Sequence, residues 1–280
     1  MLNNLVNARI AGSLFPEREW EGKIFSIHDH VVNIIHPDNY LISVVENTKD
    51  LTDLSFMPPD FKLLKKLLSS GRTKTVFYKK NIFKVGSYRI SIEHAERWNG
   101  RITESVYNLD NQFKYLQRSF YDNSADEGLS SIITGKKKDR FSSSASEKLR
   151  NAGGNYPVDI SFLVGLGVGF TPSGDDFITG VLLYEKLFPK KIKLDKKSIH
   201  SKISKTTSGG KTLLMLALKG SFPNYLKSFS EKFLETAELD PEQYKDKIEE
   251  YLFEVLAHGS TSGSDSIAGF IWAENRDIII

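Results

Sequence analysis

The chain of 280 residues has no cysteine and only three methionines and three tryptophans. Without cysteine there can be no disulfide framework, thiolate nucleophile or zinc–cysteine cluster, which fits a cytoplasmic protein. Long apolar runs are missing too. A membrane helix needs about 20 apolar residues, whereas the longest candidate here, Phe162 to Phe170, is short and one-third glycine. Asn3, Asn4, Asn7 and Arg9 interrupt the N-terminal apolar residues, so no secretory signal is evident. Charge of one sign is also scarce: the net charge is +3. A dedicated nucleic-acid binder would carry a concentrated basic face. The lysine clusters at 136–140 and 190–197 are not interleaved with aromatics, so they read as solvated loops rather than base-stacking surfaces. Neither a membrane nor a nucleic acid is expected as a partner.

Hydrophobics at 40% and charged residues at 26% suit a globular protein with a real core. The first part of the chain reads as β-rich. Ile24–Ile27, Val31–Ile35, Leu41–Val45, Thr75–Tyr78, Asn81–Val85 and Tyr88–Ile92 are short and rich in β-branched residues, and His36-Pro37-Asp38-Asn39 is a strong turn signal. A helix is expected over Phe61–Leu68, introduced by Pro58-Pro59-Asp60 and closed by Gly71. Beyond residue 102 the period becomes helical. Helices are predicted over Thr103–Tyr121 (with Val106, Leu109, Phe113, Leu116 and Phe120 on one face), Asp176–Leu187, Lys211–Lys219, Tyr225–Leu239, Pro241–Ala257 and Asp265–Ala273. Lys136-Lys137-Lys138 and Ser142-Ser143-Ser144 read as exposed loop, and Lys190–Lys197 as a basic linker. The expected fold is α+β: a β-rich, barrel-like domain over 1–102, then a larger, mainly helical domain over 103–280.

The most informative stretch lies in the helical part. Ser173-Gly174-Asp175-Asp176-Phe177-Ile178-Thr179-Gly180 aligns with Ser262-Gly263-Ser264-Asp265-Ser266-Ile267-Ala268-Gly269, 89 positions later. Both read Ser-Gly-x-Asp-x-Ile-x-Gly, and each has a threonine just upstream, Thr171 or Thr261. The repeat predicts two similar loop-to-helix corners sharing one site. Gly165, Gly167 and Gly169 before the first corner permit close backbone approach. Unpaired amides at a helix start can hold phosphate or carboxylate. Asp175 and Asp176 leave the reading open. They could cap the helix, repel an anion, bind a cation, orient a substrate amide or act as a base.

Other patterns carry less. The alternating glycines do not make a dinucleotide fingerprint, and Thr206-Thr207-Ser208-Gly209-Gly210-Lys211-Thr212 fails as a phosphate-binding P-loop because Lys205 stands where the first glycine belongs. A hydroxyl-rich loop before a helix remains, either a cap or a wall of the same cavity. His28 and His30 share a strand face, with His36 nearby, but no third metal ligand is evident. His258, just before Gly259-Ser260-Thr261-Ser262-Gly263, is an acid–base candidate or a helix-terminal cation.

The stretch Gly165-Leu166-Gly167-Val168-Gly169-Phe170-Thr171-Pro172-Ser173-Gly174-Asp175-Asp176 resembles the hallmark Gly-Leu-Gly-Pro-Gly-Leu-Thr-Pro-Ser-Gly-Asp-Asp of the AllH-type family, with Val168 for proline and Phe170 for leucine. Looser likeness extends over about residues 20–270: the strands around Ser26–Val44, the Thr206-Thr207 segment (with Gly210-Lys211 for Ser-Ala) and Gly259–Gly269. The family includes a subunit of bacterial oxamate carbamoyltransferase. The resemblance therefore implies a place in allantoin catabolism, where oxalurate plus phosphate interconverts with oxamate plus carbamoyl phosphate. It also implies partner protein subunits, two in that system, and a small anionic substrate of the oxamate, oxalurate or carbamoyl phosphate class.

On this reading Gly165, Gly167, Gly169, Thr171, Ser173, Gly174, Asp175, Thr206, Thr207, Thr261, Ser262 and Gly263 are the candidate substrate-binding residues. Asp176, Asp265 and His258 are the candidate catalytic ones. No cofactor is expected. Two alternatives stand beside it: a Mg²⁺-assisted hydrolase using Asp175, Asp176 and Asp265, and a non-catalytic scaffold subunit.

Overall fold

A computed structural model describes residues 5–70, 75–105, 107–125, 127–136 and 140–276. The chain divides into two compact units, Met1–Gly100 and Arg101–Ile280. The expected α+β class holds: a curled sheet, then a mainly helical region.

The first unit is built on strands β1 (Leu5–Asn7), β2 (Ile10–Gly12), β3 (Trp20–Ile27), β4 (Val31–Ile35), β5 (Leu41–Val45), β6 (Ser55–Met57), β7 (Thr75–Lys79), β8 (Ile82–Val85), β9 (Tyr88–Ser91) and β10 (Glu96–Trp98). They form one sheet in the order β1-β9-β8-β7-β3-β4-β5-β6-β2-β10. β1 and β2 lie at or near opposite ends of that order, yet only Ala8 and Arg9 separate them. Ala8 N–H donates to Ser91 O at 2.8 Å and Arg9 N–H to Met57 O at 2.8 Å. Two residues can bridge such distant strands only if the sheet curls round, and the result is a half-barrel. Trp20, Phe56, Tyr78 and Phe83 fill its interior, joined by Leu64 and Leu68 of helix α1 (Phe61–Ser69). Asp60 caps that helix, accepting from Leu63 N–H at 2.8 Å. Asn39 at φ 61° ends the turn foreseen between β4 and β5, while Lys80 and Asn81, at φ 50° and 60°, make the β7–β8 turn. Asn81 is thus a turn residue rather than the first strand residue. Gly71, the expected helix stop, lies outside the described residues.

The second unit comprises α2 (Asp110–Asn123), α3 (Ser131–Thr134), α4 (Arg140–Gly153), α5 (Ser173–Leu187), α6 (Lys196–Lys202), α7 (Ser208–Leu218), α8 (Asn224–Glu235), α9 (Pro241–Leu256) and α10 (Ser262–Asn275). Leu109, Phe113, Leu116 and Phe120 are buried along α2 as the spacing predicts. The helix begins seven residues later than expected, because the Asn108 side chain accepts from Asp110 N–H at 3.1 Å and closes a local turn there. Val106 lies outside the described residues. Ser142-Ser143-Ser144 are not a loop: they belong to α4, whose residues Ala145, Leu149 and Ala152 face the core. Packing of that stripe outweighs the small helix penalty of serine. Lys137 and Lys138 lie outside the described residues. The 190–197 segment is more than a linker. Ile192 and Leu194 are buried, Leu194 bridges Val158, and Lys191 Nζ pairs with Glu274 at 2.8 Å.

At the centre of this unit α5 packs along α10. Contacts keep one sense from start (Thr171 with Ser262) to end (the Tyr184 hydroxyl on the Glu274 carboxylate), so the helices run parallel with their N-termini side by side. Close approach is possible because each helix offers a glycine to the other's backbone. A Cβ on Gly180 would lie 1.8 Å from Ser266 O, and one on Gly269 would lie 2.0 Å from Phe177 O. The two contacts are related by the same 89-residue offset as the motif. Gly180→Ala or Gly269→Ala should therefore force the helices apart and lower unfolding stability by at least about 1–3 kcal/mol. Urea denaturation checks this against Gly154→Ala, where a Cβ meets nothing within 4 Å, and where a change within about 0.5 kcal/mol is expected.

Candidate functional site

The corners start α5 and α10 in the same way. Gly174 N–H donates to Leu166 O at 2.8 Å, and Gly263 N–H to His258 O at 3.1 Å, so each chain turns sharply into its helix. Neither helix carries a side-chain N-cap. The aspartates foreseen as possible caps turn elsewhere. Asp176 accepts from Thr171 Oγ1 at 3.1 Å and from Ser262 of the other corner, whose Oγ lies 3.1 Å from Thr171 Oγ1. Asp265 accepts from Leu129 N–H at 2.6 Å, and the Ser173 and Thr261 hydroxyls also face its carboxyl and favour the ionised form. The serine of each corner thus addresses the aspartate of the other. Asp265 Oδ2 nevertheless meets no donor in hydrogen-bonding geometry among the described residues.

Asp175 belongs to a separate junction. Its Oδ1 accepts from Gly165 N–H at 2.8 Å, and its other oxygen from the Thr206 hydroxyl. Next to it Thr207 caps α7, accepting from Gly210 N–H at 3.0 Å and donating to Phe170 O at 2.6 Å. Thr206 and Thr207 therefore tie the glycine loop to the start of α7. The expected cap is present, and it also contacts the loop. Above it the loop stands open: Gly167, Val168, Gly169 and Phe170 are exposed, Val168 by 92%. Gly167 and Gly169 hold φ at +113° and +109°, a region side chains rarely adopt.

Burial divides the candidate residues. Asp175, Asp176 and Asp265 are 0–1% exposed, and Ser173, Gly174 and Gly263 are also buried. Thr171, Thr206, Thr261, Ser262 and His258 are half-buried, while Gly167, Gly169 and Thr207 face solvent. One residue that sequence reasoning did not single out completes the cluster. Tyr225 of α8 stacks on His258 with centroids 3.7 Å apart and planes at 14°, and its hydroxyl lies 3.5 Å from Ser266 Oγ. Tyr225 is pushed to a higher pKa by burial and by the nearby Asp176 and Asp265 charges. No local signal marks it, since it meets the corners only through folding.

Burial raises the pKa of all three aspartates. For Asp175 the Thr206 and Gly165 donors oppose the rise. Asp176 is held well above the carboxylate range by burial and by Asp265. Asp265 is raised by burial to about 6, against the pull of its donors. Among the described residues no three carboxylate or imidazole groups gather as a metal site would require. The three aspartates of the Mg²⁺ alternative face different partners.

Geometry thus defines a class first: a helical protein organised around two cross-linked Ser-Gly-x-Asp corners. Residues 163–274, which hold both corners, match the model of the AllH family, described as oxamate carbamoyltransferase subunit AllH. Over that span the resemblance drawn from the hallmark stretch is shown. Neither the curated proteins nor the solved structures gave a match. No helix among the described residues is long and apolar enough to cross a membrane.

The Asp265 shift has a definite sign. An acid whose folded pKa is raised binds its proton more tightly in the native state, so its contribution is most favourable at low pH and falls as pH rises from about 4 to about 6. Asp265→Asn removes that titration. Relative to wild type, the variant should gain unfolding stability between pH 4.5 and 7.5, measured by urea denaturation. A stability difference that stays constant across this range would refute the assignment.

Proposed function

We propose that this chain is a subunit of an oxamate carbamoyltransferase-like assembly and holds a small anionic substrate over the paired corners. The observation that carries this reading is the meeting of two helix N-termini beneath an exposed glycine loop, inside the segment that matches the AllH model. Two parallel helix starts bring two positive dipole ends to one place, which favours an anion, while the Gly174 and Gly263 N–H groups are taken by Leu166 O and His258 O. The Gly167–Gly169 backbone and the Thr171 and Ser262 hydroxyls are the groups that would face it.

Asp176 and Asp265 act from below in this reading. Buried as they are, they do not touch substrate; they fix the opposing serine and threonine hydroxyls and are positioning residues. In carbamoyl transfer the oxamate amide nitrogen bonds the carbamoyl carbon and the C–O bond to phosphate breaks. Phosphate leaves with the electron pair and the nitrogen gives up a proton. Negative charge grows on the carbamoyl oxygen along this path, and pre-aimed amides and hydroxyls stabilise it. No covalent nucleophile is required, because holding both reactants in place supplies much of the rate gain. Partner subunits complete the active assembly, and the cytoplasm is its expected setting.

The test is reconstitution with the candidate partner subunits, with carbamoyl phosphate formation from oxalurate and phosphate as the readout. Omission of this chain should abolish turnover. Gly169→Ala strains the loop at φ +109° where no atom but Thr171 O lies within 4 Å, so it should lower kcat/KM at least about tenfold with an unchanged circular dichroism spectrum. Full turnover without the chain would end the proposal.

A further inference from the structure

The first unit carries a second polar cleft, of about 570 Å³, between α1 and the β3–β4 turn. The cleft is shallow and open to solvent, with the Asp29 side chain 94% exposed. One wall is basic. Lys62 and Lys66 are exposed, one helical turn apart on the same face of α1, and neither has a carboxylate within ion-pair distance among the described residues. Like charges at this spacing repel and destabilise an isolated helix, so the pair is a standing cost that a bound anion would relieve. Lys65 is not available in the same way, since its Nζ lies 3.2 Å from Asp29 Oδ1 and 3.2 Å from Asp29 O.

The opposite wall is acidic and only partly compensated. Glu46 Oε2 lies 2.6 Å from His30 Nδ1, and Glu46 N–H donates to His30 O at 2.9 Å, which fixes the turn against the end of β5. Asp29 is held by Lys65. These carboxylates retain oxygens that accept hydrogen bonds, and Ser69 adds a hydroxyl at the cleft's edge. A simple anion would use the lysines and be repelled by the far wall. A molecule with an anionic group at one end and hydroxyls at the other would satisfy both. We infer that this cleft binds a small phosphorylated polyol, its phosphate on Lys62 and Lys66 and its hydroxyls on Asp29 and Glu46. The inference goes beyond the proposed transfer reaction and does not use the Ser-Gly-x-Asp corners.

Calorimetric titration of the full chain with ribose 5-phosphate, and separately with ribose, tests it. Ribose 5-phosphate should bind and ribose alone should not. The double variant Lys62→Ala/Lys66→Ala should weaken binding at least tenfold, and Gly169→Ala should leave it unchanged. Lys66→Gln should weaken binding while leaving Tm and the circular dichroism spectrum unchanged, because it removes the like-charge pair on α1 and keeps a good helix former; this separates lost binding from lost fold. Failure of the wild type to bind, equal binding by the double lysine variant, or loss of binding in Gly169→Ala would overturn the inference. None of these outcomes depends on the carbamoyl-transfer assay.

Discussion

Backbone contact between α5 and α10 is the constraint on which the second unit depends. Two parallel helices whose glycines press on each other's carbonyl oxygens have no room to slide or rotate. Their first turns are thereby brought side by side, and the two halves of the Ser-Gly-x-Asp repeat become halves of one hydrogen-bonded cluster. The hydroxyl–carboxylate exchange between the corners accompanies this packing.

Parallel packing has an electrostatic price. Two positive dipole ends at one place repel, each equivalent to about half a unit charge. First-turn carboxylates answer that field, but Asp176 and Asp265 are both buried, and the Asp265 charge further disfavours ionisation of Asp176. The field favours the ionised carboxylates and burial the neutral ones, and burial dominates, so both carboxyl pKa values are raised. The exposed loop above remains governed by the helix ends and by its own amides. The paired corners thus serve the packing of the unit, and the proposed anion site would rest on the same arrangement.

Much of this was legible because its signals are local. Pro58-Pro59-Asp60 marks the start of α1, His36-Pro37-Asp38-Asn39 marks a turn, and the apolar spacing of Leu109, Phe113, Leu116 and Phe120 gives the buried face of α2. The repeat announced that two corners exist and belong together. Short strands such as Leu5–Asn7 and Ile10–Gly12 were not legible, since three residues carry no period; their pairing with β9 and with β6 and β10 is decided by the sheet. The same holds for Leu129 beside Asp265, 136 residues away, and for Tyr225. Residue types told that aspartates stood at the corners but not that they were enclosed, because enclosure depends on the neighbouring helix.

The distance along the chain between the corners has a consequence for biogenesis. Thr171 and Ser262 meet across 91 residues, and the intervening α6 to α9 must be in place before loop closure is rewarded by contact. A growing polypeptide released up to α9 has the first corner but not its complement, leaving Asp176 without the Ser262 hydroxyl and Gly180 without its facing helix. The centre of the unit is therefore completed only when α10 has been made, and a chain cut short before Ser262 leaves α5 without the helix that packs against it.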